Sequence, residues 1–265
     1  MKYPILILFL VTALAADAQE FTDSISGKET TILLKKLRLQ QASPSERAVL
    51  QKTALSLQVT GQSLDERSHD YKKSLSQIDK AIDLYEALND TLSLAFNKKY
   101  KGHLLVRLDK LSQAKTEIRA AASLYGAARS GTGVASSQFD LARIFEFENN
   151  PDSAVYYAGL AGSYWKTQGD NQQILVINNM MVYHLLQLSE VEKALLIYQE
   201  SQLLLTKHPP HWQPLLDFYF TSMLLFRQIN DATNAAHYRE LYTGQVDVLR
   251  TEGITARSYY DNMSQ

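Results

Sequence analysis

The stretch "SQFDLARIFEFENNPDSAVYYAGLAGSYWKTQGD" covers residues 137–170 and reads as two helices joined by a tight turn. Leu141, Ile144 and Phe145, then Ala154, Ala158, Ala161 and Trp165, fall at steps of three and four, the spacing of one apolar stripe on a helix. Between them "ENNPD" is polar and contains Pro151, which lacks a backbone donor. Such a residue opens a helix well and breaks one from within.

The same outline returns along the chain. Ser74, Ala114, Ala154 and Ala194 lie 40 residues apart, and Ala235 follows after 41. Ala81, Ala121, Ala161 and Ser201 form a second column at the same interval, and Tyr85, Tyr125, Trp165 and Leu205 a third. Turn-type pairs recur with them at Asn89-Asp90, Arg129-Ser130 and Gly169-Asp170, and hairpin turns are predicted at "ERSHD" (66–70), "RLDK" (107–110), "QLSE" (187–190) and "QIND" (228–231). A shared period in independent columns marks a repeat protein whose unit is one helix pair. The small residues have a packing reason. Two helices approach closely only where one offers a methyl or hydroxymethyl group, and a bulkier side chain there costs about 1–3 kcal/mol. All six prolines avoid the predicted helix interiors, with Pro44 counted as a first-turn residue after Ser43.

This pattern resembles the tetratricopeptide repeat: a small residue on the first helix, Ala twelve residues on, an aliphatic or aromatic residue four later, and Ala three later. It reads Gly102, Ala114, Ile118, Ala121 in one unit and Ala142, Ala154, Ala158, Ala161 in the next. Val182, Ala194, Tyr198, Ser201 follow more loosely. Met223, Ala235, Arg239, Tyr242 and Gln62, Ser74, Ile78, Ala81 are assigned to the weaker outer units. The period of 40 exceeds the family's usual 34 or so, as in its longer-helix variety. The resemblance spans about residues 55–245. It implies an all-α fold, a right-handed solenoid of stacked antiparallel helix pairs with about five repeats and terminal capping helices. One pair cannot bury its own apolar face, so neighbours stack and share a core. The expected organisation is a signal peptide at 1–18, an N-terminal capping helix at 19–43, helical repeats at 44–248, and a helix end and tail at 249–265. "TKHPPHWQP" (206–214) shifts the register by one residue and reads as a rigid exposed loop.

The N-terminus "MKYPILILFLVTALAADAQE" sets Lys2 before an apolar run from Ile5 to Ala16, followed by an Ala16-Asp17-Ala18 cleavage pattern. That is the layout of a secretory signal peptide, and the run is too short for a bilayer-spanning helix, which needs about 20 residues. An exported protein, periplasmic or secreted, is expected. The chain has no cysteine, which excludes disulfides, thiolate metal sites, cysteine nucleophiles and a lipoprotein anchor. A formal charge of −1 gives no electrostatic reason to expect nucleic acid or an anionic membrane.

Catalytic signatures are absent from the sequence: there is no His-Glu-x-x-His, Gly-x-Ser-x-Gly or phosphate-binding Gly-x-x-x-x-Gly-Lys-Ser. The glycines of "SGTGVASS" (130–137) read as an inter-repeat turn. His208 and His211 flank two prolines beside Trp212 but lack the third and fourth ligands that zinc requires. The carboxylate pairs Asp79/Asp83 and Glu146/Glu148 read as solvated helix faces. No enzyme activity, metal or cofactor is expected.

The family binds partners along a concave face lined by the first helix of each pair, and by position that face takes Phe96, Lys99, His103 and Arg107 in one unit. Phe139, Arg143, Glu146 and Phe147 follow in the next, then Val176, Asn179, Tyr183 and Gln187, then Phe220, Leu224 and Arg227. Aromatic residues mixed with arginine are the types that dominate binding energy once buried. Lys99 occupies a place used by clamps for C-terminal carboxylates in some members, but His103 stands where those carry asparagine. The expected function is a non-catalytic scaffold that binds a protein or peptide of unknown identity. The alternatives are a glycan- or peptidoglycan-binding module, a sensory module of an envelope signalling system, or a homo-oligomer formed through the outer repeats.

Overall fold

A computed structural model describes residues 27–206 and 210–260. The signal peptide expected at 1–18 and His208 lie outside the described residues. Among them the chain forms eleven α-helices and no strand. A first helix, α1 (Gly27–Arg38), precedes five pairs: α2 (Pro44–Ser68) with α3 (Tyr71–Leu88), α4 (Thr91–Arg107) with α5 (Leu111–Ala127), α6 (Gly131–Phe147) with α7 (Pro151–Gln168), α8 (Asn171–Gln187) with α9 (Val191–Leu205), and α10 (Trp212–Gln228) with α11 (Ala232–Thr251). The chain divides into two compact units, Met1–Ser137 and Gln138–Gln265.

The turns explain the period. Non-glycine residues in the left-handed region occur at His69, Asn89, Asp109, Arg129, Asn149 and Ser189, and Gly169 joins them at φ +67°. They stand 20 residues apart, one or two past the end of each helix. At Asn89 the amide donates to the Glu86 carbonyl at 3.1 Å and the next amide, of Asp90, reaches back to Tyr85 at 3.0 Å. That pair of bonds is the Schellman closure, which satisfies carbonyls the helix end would orphan. The residue that completes it also starts the next helix. Asp90 accepts from the Ser93 amide at 3.1 Å, and Asp70, Asn150, Asp170 and Asp231 cap in the same way. From α2 to α9, two or three residues therefore separate one helix from the next.

Packing follows the small columns. In the first unit Ser74, Ala81, Ala114 and Ala121 are fully buried, as are Ile78 and Ile118. Burying each isoleucine side chain contributes about 2 kcal/mol. A Cβ on Gly102 would sit 2.5 Å from Ile118, and one on Gly61 would sit 2.9 Å from Ile78. Gly61, rather than Gln62, thus begins the first pair's pattern. The Ser74 hydroxyl donates to the Gly61 carbonyl at 2.7 Å, so serine is satisfied in an alanine place. In the second unit Ala154, Ala158, Ala161 and Ala194 are fully buried. The last pair differs from its sequence assignment for a related reason. Ser222 and Tyr238 are buried where Met223 and Arg239 were expected to pack, with Arg239 exposed. Ser222 and Tyr238 stand 40 residues after Val182 and Tyr198, whereas Ala235 stands 41 after Ala194, so a pattern measured from Ala235 lands one residue too far.

Two further expectations are corrected. Gly131 and Gly133 lie in the first turn of α6, and the turn itself is at 128–130. Gly133 is glycine because a Cβ would fall 2.3 Å from the Tyr125 ring. Trp212 is not on an exposed loop tip: it opens α10 and packs on a cluster of Leu216, Leu249 and Ala256.

Candidate functional site

In the first unit the expected face belongs to α4. Phe96 and Arg107 are exposed, and Lys99 and His103 are half-buried. Lys99 donates from Nζ to the Ser136 hydroxyl at 3.1 Å. Arg107 sits over the Tyr71 ring at 5.5 Å and approaches Asp65 at 3.7 Å. Asp65 accepts the Tyr100 phenol at 2.7 Å, and burial together with that carboxylate pushes the phenol's pKa up. The structure thus brings one aromatic and three basic side chains onto a single helix surface.

In the second unit the expected residues fall into two groups. Arg143 and Arg227 are exposed and Phe139 is half-buried, whereas Glu146, Asn179, Tyr183 and Phe220 are buried. Asn179 spends its amide on the Pro214 carbonyl at 2.9 Å, in the first turn of α10. The reading of Glu146/Glu148 as a solvated face is corrected, because the Glu146 side chain is 0% exposed. Its carboxylate accepts from His184 Nε2 at 3.0 Å and from the Tyr259 phenol at 2.8 Å. The other ring nitrogen of His184 bonds to Gln187 at 2.8 Å. By contrast Asp83 is exposed, and the half-buried Asp79 pairs with Lys101 at 2.9 Å.

What covers Glu146 is the chain's own C-terminal segment. Beyond α11, Gly253 turns at φ +77°, and residues 254–260 run across the surfaces of α6, α8 and α10. The Arg143 guanidinium lies 5.7 Å from the centre of the Tyr259 ring. Tyr260 stacks on Tyr183 at 4.7 Å and is buried with Phe220 and Met180. Asp217 on α10 accepts three donors on one oxygen: the Tyr259 amide at 2.7 Å, the Ser258 hydroxyl at 2.9 Å and the Gln213 amide at 3.2 Å. Burial raises the Asp217 carboxyl above the usual aspartate range, against the pull of those donors. Burial and the neighbouring Glu146 charge likewise raise the Tyr259 phenol, and burial raises Tyr260.

Asp217, His184, Gln213, Tyr242 and the tail itself were not among the residues expected from sequence. A signal for His184 does exist in the register. The column reads Leu104, Ile144, His184 and, after the one-residue shift, Leu225, so histidine takes an aliphatic place. Glu146 likewise stands between Val106 and Leu186. Polar residues at core positions of a repeat call for partners on neighbouring elements, and here the partners are each other and the tail.

Among the described residues, no group of three or more His, Asp or Glu side chains is placed to hold a metal ion. No helix of the described residues is long and apolar enough to cross a membrane.

Neither a protein-family model nor a curated protein matches the sequence. Solved structures do. BtubC (BKLC) from P. vanneervenii superposes with a TM-score of 0.70 over 91% of this chain and 92% of that one, at 14% identity. A putative kinesin light chain of Podosopora anserina, described as nearly identical TPR-like repeats, gives a TM-score of 0.62 over 76% of this chain and 96% of that one, at 9% identity. The fold is TPR-like. Aspartyl phosphate phosphatase F from Bacillus subtilis matches at TM-score 0.63 and 13% identity, covering 83% of this chain and 58% of that one. At such identities the likeness establishes architecture alone: the protein has a TPR-like helical repeat fold.

Proposed function

We propose that this chain is an exported, non-catalytic scaffold that binds a segment of a protein partner on the surface formed by the first helices of its pairs. One observation carries the reading. In the second unit that surface already holds a stretch of polypeptide, residues 254–260, irregular as far as Ser258 and turning helical at Tyr259 and Tyr260, through side chains of α6, α8 and α10. In the first unit α4 offers Phe96 and Arg107 to solvent, an aromatic and a guanidinium of the kind that anchors interfaces. The second helices expose Tyr156, Leu160, Leu196 and Leu203, which serve as the comparison surface.

A photo-crosslinking residue placed at Phe96 or Arg143, on the first helices, tests this against Tyr156 or Leu196, on the second helices. A discrete protein adduct from the first pair of sites and none from the second is the expected result. Equal adducts from both, or adducts only from Tyr156 and Leu196, would remove the first-helix surface as the binding site. Export rests on the N-terminal sequence, and its check is the N-terminus of the protein isolated from its own cells. Cleavage is expected to leave Gln19 first, in the envelope or medium. A cytosolic chain that retains its leader would end that part of the proposal.

A further inference from the structure

Resting on that protein-binding reading, we infer that the surface beneath the tail is a recognition site for short segments carrying a hydroxyl residue followed by a tyrosine and a second aromatic. Residues 254–260 are its tethered resident competitor. The segment is held in the manner of a bound peptide. Ala256, Ser258 and Tyr260 are buried while Thr255 and Arg257 are exposed, and the irregular run at 254–258 passes into a helical turn at Tyr259, where the Tyr260 amide donates to the Ser258 hydroxyl at 3.2 Å. Its backbone is met by side chains. Gln213 donates to the Arg257 carbonyl at 3.1 Å, the Ser258 amide donates to the Tyr242 hydroxyl at 3.0 Å, and the Tyr259 amide donates to Asp217 at 2.7 Å. These bonds would serve any sequence. Selectivity comes from the side chains: Ser258 to Asp217, the Tyr259 phenol to Glu146, and Tyr260 against Tyr183.

The receiving groups are positioned by the body of the unit and not by the tail. Glu146 is fixed by His184, which is fixed in turn by Gln187, and Asp217 is steadied by Gln213 one turn earlier on α10. A site organised in advance binds without a further ordering cost. The tail reaches it through the short exposed link at Glu252 and Gly253, so its effective concentration is on the order of millimolar. A partner's segment must outcompete that tether, which makes the site selective for tight or multivalent partners.

The chain has no cysteine, so a single engineered thiol reports tail opening cleanly. In the full chain, Ala256→Cys places a thiol on the buried face of the tail and Ala235→Cys places one in the core of the same unit; both alanines are buried. Without denaturant, thiol labelling at position 256 is expected to run about 100-fold faster than at 235, because a segment that opens locally exchanges ahead of global unfolding. Adding a synthetic peptide of residues 254–260 should accelerate labelling at 256 further and saturably. The same peptide with both tyrosines replaced by alanine should not. Equal rates at 256 and 235, or no response to the native peptide, would overturn the inference. Should Ala256→Cys fail to fold, fluorescence anisotropy of the labelled peptide on the full chain replaces it. Tyr259→Ala/Tyr260→Ala protein is expected to bind the peptide about tenfold more tightly than native protein, since its own tail competes less, and equal affinities would overturn the proposal. Peptide binding without any partner adduct in the crosslinking test would sink the protein-scaffold reading and leave this site standing.

Discussion

On α4 in the first unit, Phe96 and Arg107 stand in solvent and the charged groups pair with nearby side chains of the same unit. On α6, α8 and α10 in the second unit, Glu146, Tyr183 and Asp217 are met by the C-terminal segment while Arg143 and Phe147 stay exposed, and two carboxylates are buried or half-buried there. One repeat pattern has therefore produced two kinds of surface. The small columns that decide how helices pair are kept in both units. Difference enters at positions that pairing leaves open, such as Val106 in one register and Glu146 in the next.

Removing the most enclosed charge should break the contrast most sharply. Glu146→Ala leaves the His184 ring and the Tyr259 phenol without their buried acceptor, a loss of about 3 kcal/mol. Both tryptophans, Trp165 and Trp212, belong to the second unit, so its denaturant transition is read by tryptophan fluorescence. That transition is expected to move to lower urea. An unchanged midpoint would show that the buried network carries no weight.

Acid should act on the two units in opposite senses. In the first, Glu46 is held down to about 2 by Lys36 and by the Ser43 amide at the start of α2. Its folded pKa lies below its unfolded one, so its contribution is present above about 4.5 and is lost as pH falls toward 2. In the second, Asp217 is raised, so the folded state holds its proton longer than the unfolded state. Stability from that group falls as pH rises from about 4 through the raised value. Hydrogen exchange followed segment by segment should show α2 loosening in acid. Exchange at α10 and the tail should instead quicken as pH climbs, after correction for intrinsic rates, and Asp217→Asn should flatten that trend. Parallel behaviour in both units would contradict the opposite shifts.

Smaller still is a change expected to be the same on both sides. Arg129→Gly in the first unit and Ser189→Gly in the second each relieve a side chain held at positive φ, at 57° and 60°. Each is expected to stabilise by roughly 0.5–1 kcal/mol, seen as a raised melting temperature. Arg107→Ala should come last, within about 0.5 kcal/mol of native, because an exposed pair at 3.7 Å contributes little.

The helices were legible in the sequence because three features recur with the period: small residues where helices touch, a capping side chain at most helix starts, and a polar turn residue at the ends. The outer pairs were harder. The Gly61–Ser74 and Ser222–Ala235 spacings are one residue longer than the Gly102–Ala114 spacing, and a fixed window lands on Gln62 and Met223 instead. For the candidate site, the register correctly assigned residues to first helices but could not say which were covered. Glu146 carries the same letter whether it faces water or a tyrosine 113 positions away. That contact depends on the path of the chain after Gly253, which no periodicity encodes.

The recurring short turn has an evolutionary consequence. Because helices end in the same left-handed step and restart on the next residue, genetic exchange between two equivalent turns, for instance at Arg129 and Gly169, would add or delete one whole helix pair without leaving a seam. The first three turns of this kind are interchangeable parts. The final pair is not, since the one-residue offset before α10 and the docking of residues 254–260 tie it to its particular neighbours. Growth and shrinkage of such a gene are then expected in the middle of the array, with the tail-bearing end inherited as a block.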